Sequence, residues 1–402
     1  MSPRTFLVVM TAVAVVGDSL LHPFFPQYFR AVFGVTDPVH VGFYVAACSL
    51  TVLLSFPVWA VISRKISTPR LLIVTQSGCA LLACATSAAG SLMDFWILSL
   101  VMMALKASYL LIYPYVMSLE EKERHPQTIG LLAFVVYFGH LLSALLAGFI
   151  LEFLGPRQMF LAMAAGDVLQ AALSLFAGGA GVFSARNLAI QAPRLGVSRP
   201  MPRGFLAKLG LLMCLLYFSA YVTDPFFSEY WEARSGVTNR ILSGLVFALP
   251  GIAALTALIL DARLGRRSQL GMARAAWLVV AGLLLQLFGP WAAVIGRFLY
   301  GWALFRTMVE LDLMVFHVST PDDYAVDFSR ANLFQGLGVM LASSVAGSLL
   351  HVIGPAAPFV MAAAGFVAGA FLYLSWVRPA LLSIEKPALV PDRGPSPEAL
   401  PS

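Results

Sequence analysis

Lys106 and Arg306 each interrupt a long apolar run, and they stand 200 residues apart. An ionisable group at mid-membrane costs roughly 2.5–3.5 kcal/mol on insertion scales, so each marks a candidate functional position. Their neighbours strengthen the case. Lys106, Tyr109 and Tyr113 recur at i, i+3, i+7, and Trp302, Arg306 and Glu310 at i, i+4, i+8, so each set shares a helical face. A third stripe holds Tyr217, Tyr221, Asp224 and Ser228, and Asp18 with His22 forms an i,i+4 pair. Aromatic rings beside a buried cation suit a solute with a flat part and an anionic group. The expected substrate contacts are therefore Lys106, Arg306, Tyr109, Tyr113, Trp302, Tyr217 and Tyr221.

Moving a proton needs a carboxylate or histidine whose affinity for it changes as a neighbouring cation is freed or occupied. Asp18 is the first candidate, with His22 as relay and Asp224 or Glu310 as alternatives. Plainer roles compete with these. Arg306 and Glu310 are spaced to neutralise each other, and Lys106 has no acid at i±3 or i±4, so its partner is another helix or the solute. Arg297 lies nearer the outer face, where it can snorkel or pack against span 11; Asp167 and Asp312 suit interhelical hydrogen bonds, and His140 suits packing. The embedded acids Asp18, Asp167, Asp224, Glu310 and Asp312 outnumber the three cations, which leaves a cavity for cationic solutes as an alternative.

The elements that must hold these residues follow from composition. Of 402 residues, 59% are hydrophobic and 11% charged, against about 25% charged in a soluble domain. Apolar runs of about 20 residues, long enough to cross a ~30 Å hydrocarbon core, recur twelve times: about 6–30, 41–62, 71–90, 93–117, 128–152, 157–180, 207–230, 241–260, 270–288, 291–316, 331–352 and 356–377. None shows the alternation of a membrane barrel strand. The expected fold is an all-α membrane protein of twelve spans. The first run continues past Asp18 to Phe29 without a small-residue cleavage site and is read as retained. Cys48, Cys79, Cys84 and Cys214 fall inside spans with no metal-like spacing, and neither a zinc string, a nucleophile elbow nor a phosphate loop occurs. No catalytic, metal or cofactor site is expected, and no nucleic-acid partner despite the net charge of +6.

With the N-terminus inside, 19 of the 26 Lys and Arg residues fall on the cytoplasmic side, four outside and three within spans. That bias puts both termini in the cytoplasm. The segment 183–206, with Arg186, Arg194, Arg199 and Arg203, divides residues 1–182 from 207–378 as a basic linker, and the Pro-rich residues 379–402 are expected to be a disordered tail.

The two parts also repeat. His22-Pro23-Phe24-Phe25 aligns with Asp224-Pro225-Phe226-Phe227 at offset 202, and Gly34-Val35 with Gly236-Val237 at the same offset. Gly139, Gly148, Gly155-Pro156 and Phe160 align with Gly338, Gly347, Gly354-Pro355 and Phe359 at offset 199. Two independent alignments imply a six-plus-six duplication around an axis along the membrane normal.

Over roughly residues 5–378 the chain resembles the major facilitator superfamily. Asp261-Ala262-Arg263-Leu264-Gly265-Arg266-Arg267 is similar to its cytoplasmic signature, whose latch between the halves would here use Asp261, Arg263, Gly265, Arg266 and Arg267 with Arg64 and Lys65. Gly296-Arg297-Phe298-Leu299-Tyr300-Gly301 resembles another family string. The first-half loop lacks the Asp and Gly, and span 5 lacks the Pro common in drug–proton antiporters of the family. The resemblance implies two six-helix bundles, a cavity lined by spans 1, 4, 7 and 10, and alternating-access transport. The expected activity is proton-coupled export of a small anionic or zwitterionic, siderophore- or metabolite-like solute across a bacterial inner membrane by a monomer. The alternatives are efflux of hydrophobic or cationic compounds, or uptake.

Overall fold

The computed structural model describes residues 3–63, 65–66, 68–112, 125–179, 202–264, 271–319 and 324–385. Every regular element among them is helical. A chain this apolar satisfies its backbone groups within hydrocarbon only by closing them inside each segment.

The first half comprises α1 (Pro3–Asp18), α2 (Phe25–Phe33), α3 (Pro38–Ile62), α4 (Thr68–Ser87), α5 (Leu92–Lys106), α6 (His125–Phe153) and α7 (Gln158–Gly179). The second comprises α8 (Arg203–Tyr221), α9 (Phe227–Ser235), α10 (Arg240–Phe247), α11 (Leu249–Leu264), α12 (Met272–Leu285), α13 (Pro290–Val318), α14 (Tyr324–Val352), α15 (Ala357–Leu372) and α16 (Arg378–Glu385). The two form pseudo-symmetric bundles.

The repeat is visible in the backbone. Pro23 and Pro225 each sit in a short 3-10 turn, His22–Phe24 and Asp224–Phe226, that divides α1 from α2 and α8 from α9. Each following nine-residue helix ends at a glycine in the left-handed region, Gly34 at φ 67° and Gly236 at φ 70°. Only glycine takes that conformation without a Cβ penalty. The next helices start alike: the Asp37 carboxylate accepts from Val39 N at 2.9 Å, and the Asn239 side chain accepts from Leu242 N at 2.9 Å.

By length and apolarity nine helices among the described residues qualify as membrane spans, or ten if α10 and α11, bent by 45°, are one. Pro250 lies just past that bend and offers no N–H to the carbonyl four residues back. α12 has only 14 residues, and α13 carries Arg297, Arg306, Glu310 and Asp312 along its length. Twelve spans thus remains an expectation. The expected element edges also move: α8 begins at Arg203, inside the linker, and residues 378–385 are helical where the tail was expected to begin.

The halves meet through α3 on α14 and α6 on α10 and α11. The contacts themselves obey the repeat. A Cβ on Gly42 would lie 2.6 Å from Ser343 O, and one on Gly244 would lie 2.4 Å from Ala144 O. One on Gly347 would meet Pro38 O at 2.3 Å, and one on Gly148 would meet Arg240 O at 2.5 Å. These are backbone-to-backbone approaches that any larger residue would block. At the same end of the molecule Arg30 pairs with Glu229, Gln27 donates to Glu232 at 3.4 Å, and Arg240 N donates to Glu152 at 2.9 Å. That end is closed by polar links between the halves.

A candidate solute and proton site

α5 ends at Lys106 and continues as a 3-10 turn over Ala107–Leu111. With three residues per turn, Tyr109 stays in line with Lys106. The Lys106 ammonium is buried, at 4% exposure, and lies 2.5 Å from Asp18 Oδ1 and 2.6 Å from Asp167 Oδ1. The lysine with no acid on its own helix therefore takes two, from α1 and α7. Asp167 is 1% exposed and its Oδ2 has no hydrogen-bond partner, whereas about a quarter of the Asp18 side chain is accessible. Tyr109, half-buried, lies within charge range of Asp18. Tyr113 falls outside the described residues.

Arg306 is held differently from the spacing-based expectation. Its guanidinium forms a two-pronged pair with Asp261 of α11, and sits 5.5 Å from the Trp302 ring. Glu310 stands within charge range without a hydrogen bond. Asp261, expected in the cytoplasmic latch, is thus engaged by Arg306 inside the second half. Arg64, Gly265, Arg266 and Arg267 lie outside the described residues; Lys65 and Arg263 are exposed.

Arg297 was expected to snorkel at the outer face or to pack against span 11. It is fully buried instead, 3.4 Å from Asp224 Oδ1 and from Phe247 O, with its guanidinium 3.7 Å from the Phe227 ring centroid. Among the described residues the acid, the carbonyl and the rings of Phe227, Phe247 and Tyr300 surround the guanidinium, the last two at 5.5 Å. The signal was present in the repeat, which puts Asp224 in the second Pro turn, but the 73-residue separation hid the pairing.

The two Pro turns pack against each other and bring His22 and Asp224 to the junction of the halves. His22, His140 and Tyr221 are accessible, Tyr221 at 41%. Tyr217 and Tyr221 lie parallel at 6.1 Å between ring centroids. Asp18, His22, Asp224, Tyr217 and Tyr221 thus cluster around the Pro breaks. Lys106 reaches this cluster through Asp18, whereas Arg306 is drawn away by Asp261. Among the described residues no group of three or more His, Cys, Asp or Glu side chains is arranged for a metal ion.

A polytopic helical protein with a duplicated half, paired Pro breaks and ion pairs buried between helices is built as a secondary transporter. Its sequence matches the profile of the Major Facilitator Superfamily over residues 7–260, and the chain belongs to that family. Similar solved structures include a mutant of the nucleoside transporter NupG, at 13% identity and TM-score 0.68, covering 95% of this chain and all of that one. Another is the human organic anion transporter MFSD10 (TETRAN), at 19% identity and TM-score 0.68, covering 92% and 100%. At such identities the likeness is one of fold. No curated protein sequence matches the chain.

Proposed function

We propose that this transporter couples solute movement to protons through the Asp18–Lys106–Asp167 trio. The supporting observation is stoichiometric: one buried ammonium faces two carboxylates, and Asp167 Oδ2 has no partner. Without an added proton the trio carries one net negative charge inside the bundle; with one proton it is neutral. A site that is neutral in one form and charged in the other, deep in a low-dielectric interior, binds and releases a proton as its surroundings open and close.

The solute is a small zwitterionic organic molecule. Its cationic group replaces the proton on the trio, so solute and proton exclude each other and move oppositely. With an inward proton gradient this is export. The chain lies in a bacterial inner membrane as a monomer with both termini cytoplasmic, the orientation its basic residues favour.

One observation favours a second reading. Asp18 is much more accessible than Asp167, so an entering anion can displace Asp18 from Lys106. The freed Asp18 would take up a proton, and anion and proton would travel together as uptake. MFSD10, named as an organic anion transporter, adds weight to this alternative.

The test uses the full chain in proteoliposomes with a trapped pH dye and a panel of tryptophan, ethidium and benzoate. Antiport gives solute-driven proton movement opposite to the solute; symport reverses the sign. Asp18→Asn and Asp167→Asn should abolish the pH response while solute–solute exchange persists. Solute movement indifferent to pH in the wild type, or an unchanged response in both variants, overturns the coupling.

A further inference from the structure

Asp312 in α13 differs from the other deep acids. Asp18 and Asp167 share Lys106, Asp224 has Arg297, Asp261 has Arg306, and Glu310 lies within charge range of Arg306. Among the described residues no basic side chain stands within charge range of Asp312, whose one hydrogen bond comes from Gln335 Nε2 at 3.3 Å. Around it are aromatic hydroxyls. Tyr137 of α6 and Tyr217 of α8 both lie within charge range of the Asp312 carboxylate, and Tyr221 lies within range of Tyr137 and Tyr217. The hydroxyls of Tyr137, Tyr217 and Tyr221 make no hydrogen bond among the described residues; Tyr137 and Tyr217 are half-buried and Tyr221 is accessible. Tyr137 is braced edge-on by Phe305, with centroids 5.6 Å apart.

The repeat does not preserve this group. At the matching places the first half has Val15, Ser19, Ile112 and Val136 for Tyr217, Tyr221, Asp312 and Gln335, and the second half has Gly336 for Tyr137. The interhelical contacts are duplicated; this cluster is not. It also draws on both halves, because Tyr137 comes from the first and the rest from the second.

We infer that Asp312, Tyr137, Tyr217 and Tyr221 form a seat for an organic ammonium group. The carboxylate supplies the unmatched negative charge. The tyrosine rings supply faces that attract a desolvated cation within about 6 Å of a ring centroid, and their hydroxyls can accept from its N–H groups. A quaternary or aryl-substituted ammonium fits better than a hydrated metal ion, which rings do not coordinate. Because the seat spans the halves, its occupant touches both, as a solute that governs their relative motion must. This goes beyond the coupling reading: the seat is a second cation subsite, apart from the trio on which that reading lets the solute's cationic group replace the proton.

Binding of ethidium and of benzyltrimethylammonium is measured by calorimetry on the purified full chain, with benzoate as anionic control. The wild type should bind both cations. Asp312→Asn should weaken them about tenfold or more, Asp312→Glu should retain them, and Tyr217→Ala should weaken them while Tyr217→Phe does so less. Absence of binding of either cation to the wild type, or undiminished binding in Asp312→Asn with an unchanged thermal melt, overturns the proposal. If Asp312→Asn does not fold, undiminished binding in Tyr217→Ala has the same force. Asp18→Asn separates the two ideas: cation binding retained by this variant and abolished by Asp312→Asn supports the seat, even if transport by the wild type proves blind to pH and the coupling reading falls.

Discussion

Asp261 grips the guanidinium of Arg306 with both oxygens, Oδ2 lying 2.5 Å from Nη1 and Oδ1 2.8 Å from Nη2. The pair ties α11 to α13 across 45 residues of sequence, and its two side chains are 19% and 10% accessible. A planar fork meeting a planar carboxylate is a geometry that lysine does not reproduce.

Removing one partner leaves the other charge buried without compensation, which costs on the order of 3–5 kcal/mol in buried pairs. Arg306→Ala should therefore lower the thermal midpoint of the detergent-purified chain sharply, and Arg306→Lys by a smaller amount. Arg306→Ala with Asp261→Ala should recover at least half the loss. Additive effects in the double variant would show that the two residues act independently, contrary to the geometry.

Lys106 yields a sharper version of the same argument, because it answers two acids. Lys106→Ala strands Asp18 and the nearly inaccessible Asp167 together, so the loss should exceed that of either acid variant. Adding Asp167→Asn to Lys106→Ala should restore stability more than adding Asp18→Asn, since Asp18 already reaches solvent. Equal rescue by the two asparagines, read from melting curves, would contradict the burial difference.

The repeat was legible in the sequence, but runs 6–30 and 207–230 read there as unbroken and no cap was assigned, although the causes are local. Pro23 and Pro225 break helices wherever they fall, Gly34 and Gly236 permit the left-handed cap, and Asp37 and Asn239 cap the next helix; each effect acts within a few residues. The site was legible only in part. Lys106 and Arg306 stood out as buried charges, but helical spacing offers partners only on the same helix. It pointed Arg306 to Glu310, whereas the structure pairs it with Asp261. It left Lys106 open between solute and another helix, and its acids lie 88 and 61 residues away. For Arg297 the reading offered snorkelling or packing against span 11 and named no acid; Asp224, Phe247 and Phe227 surround it. Asp312 lay off the Arg306 face, so one-helix reasoning set it aside, while its tyrosines arrive from α6 and α8.

The interface between the halves makes an expectation about size. Gly148→Ala would push a methyl to 2.5 Å from Arg240 O, and Gly347→Ala would push one to 2.3 Å from Pro38 O, both backbone atoms that cannot swing aside. Each variant should loosen the closed end, seen as faster maleimide labelling of a cysteine placed at Arg30. Gly17→Ala is the control, with nothing within 4 Å of the added carbon, and helix propensity alone would make it neutral or stabilising by up to about 1 kcal/mol. Labelling as slow in Gly148→Ala as in the control would mean the halves do not pack as closely as their backbones indicate.

The Arg30–Glu229 pair at that same end is half exposed on the arginine side, so its strength should be modest. Exposed pairs contribute about 0.2–1 kcal/mol, which corresponds to a shift of roughly five-fold at most in the balance between closed and open forms. Arg30→Ala should speed labelling of a cysteine introduced at Thr223, beside the second Pro turn, within that range. The double variant Arg30→Glu with Glu229→Arg should return the rate towards wild type. Raising the salt should shrink the difference between wild type and Arg30→Ala, because screening weakens accessible pairs first. An effect of Arg30→Ala that is unaltered by salt and not reversed by the charge swap would assign the closure to the glycine contacts alone.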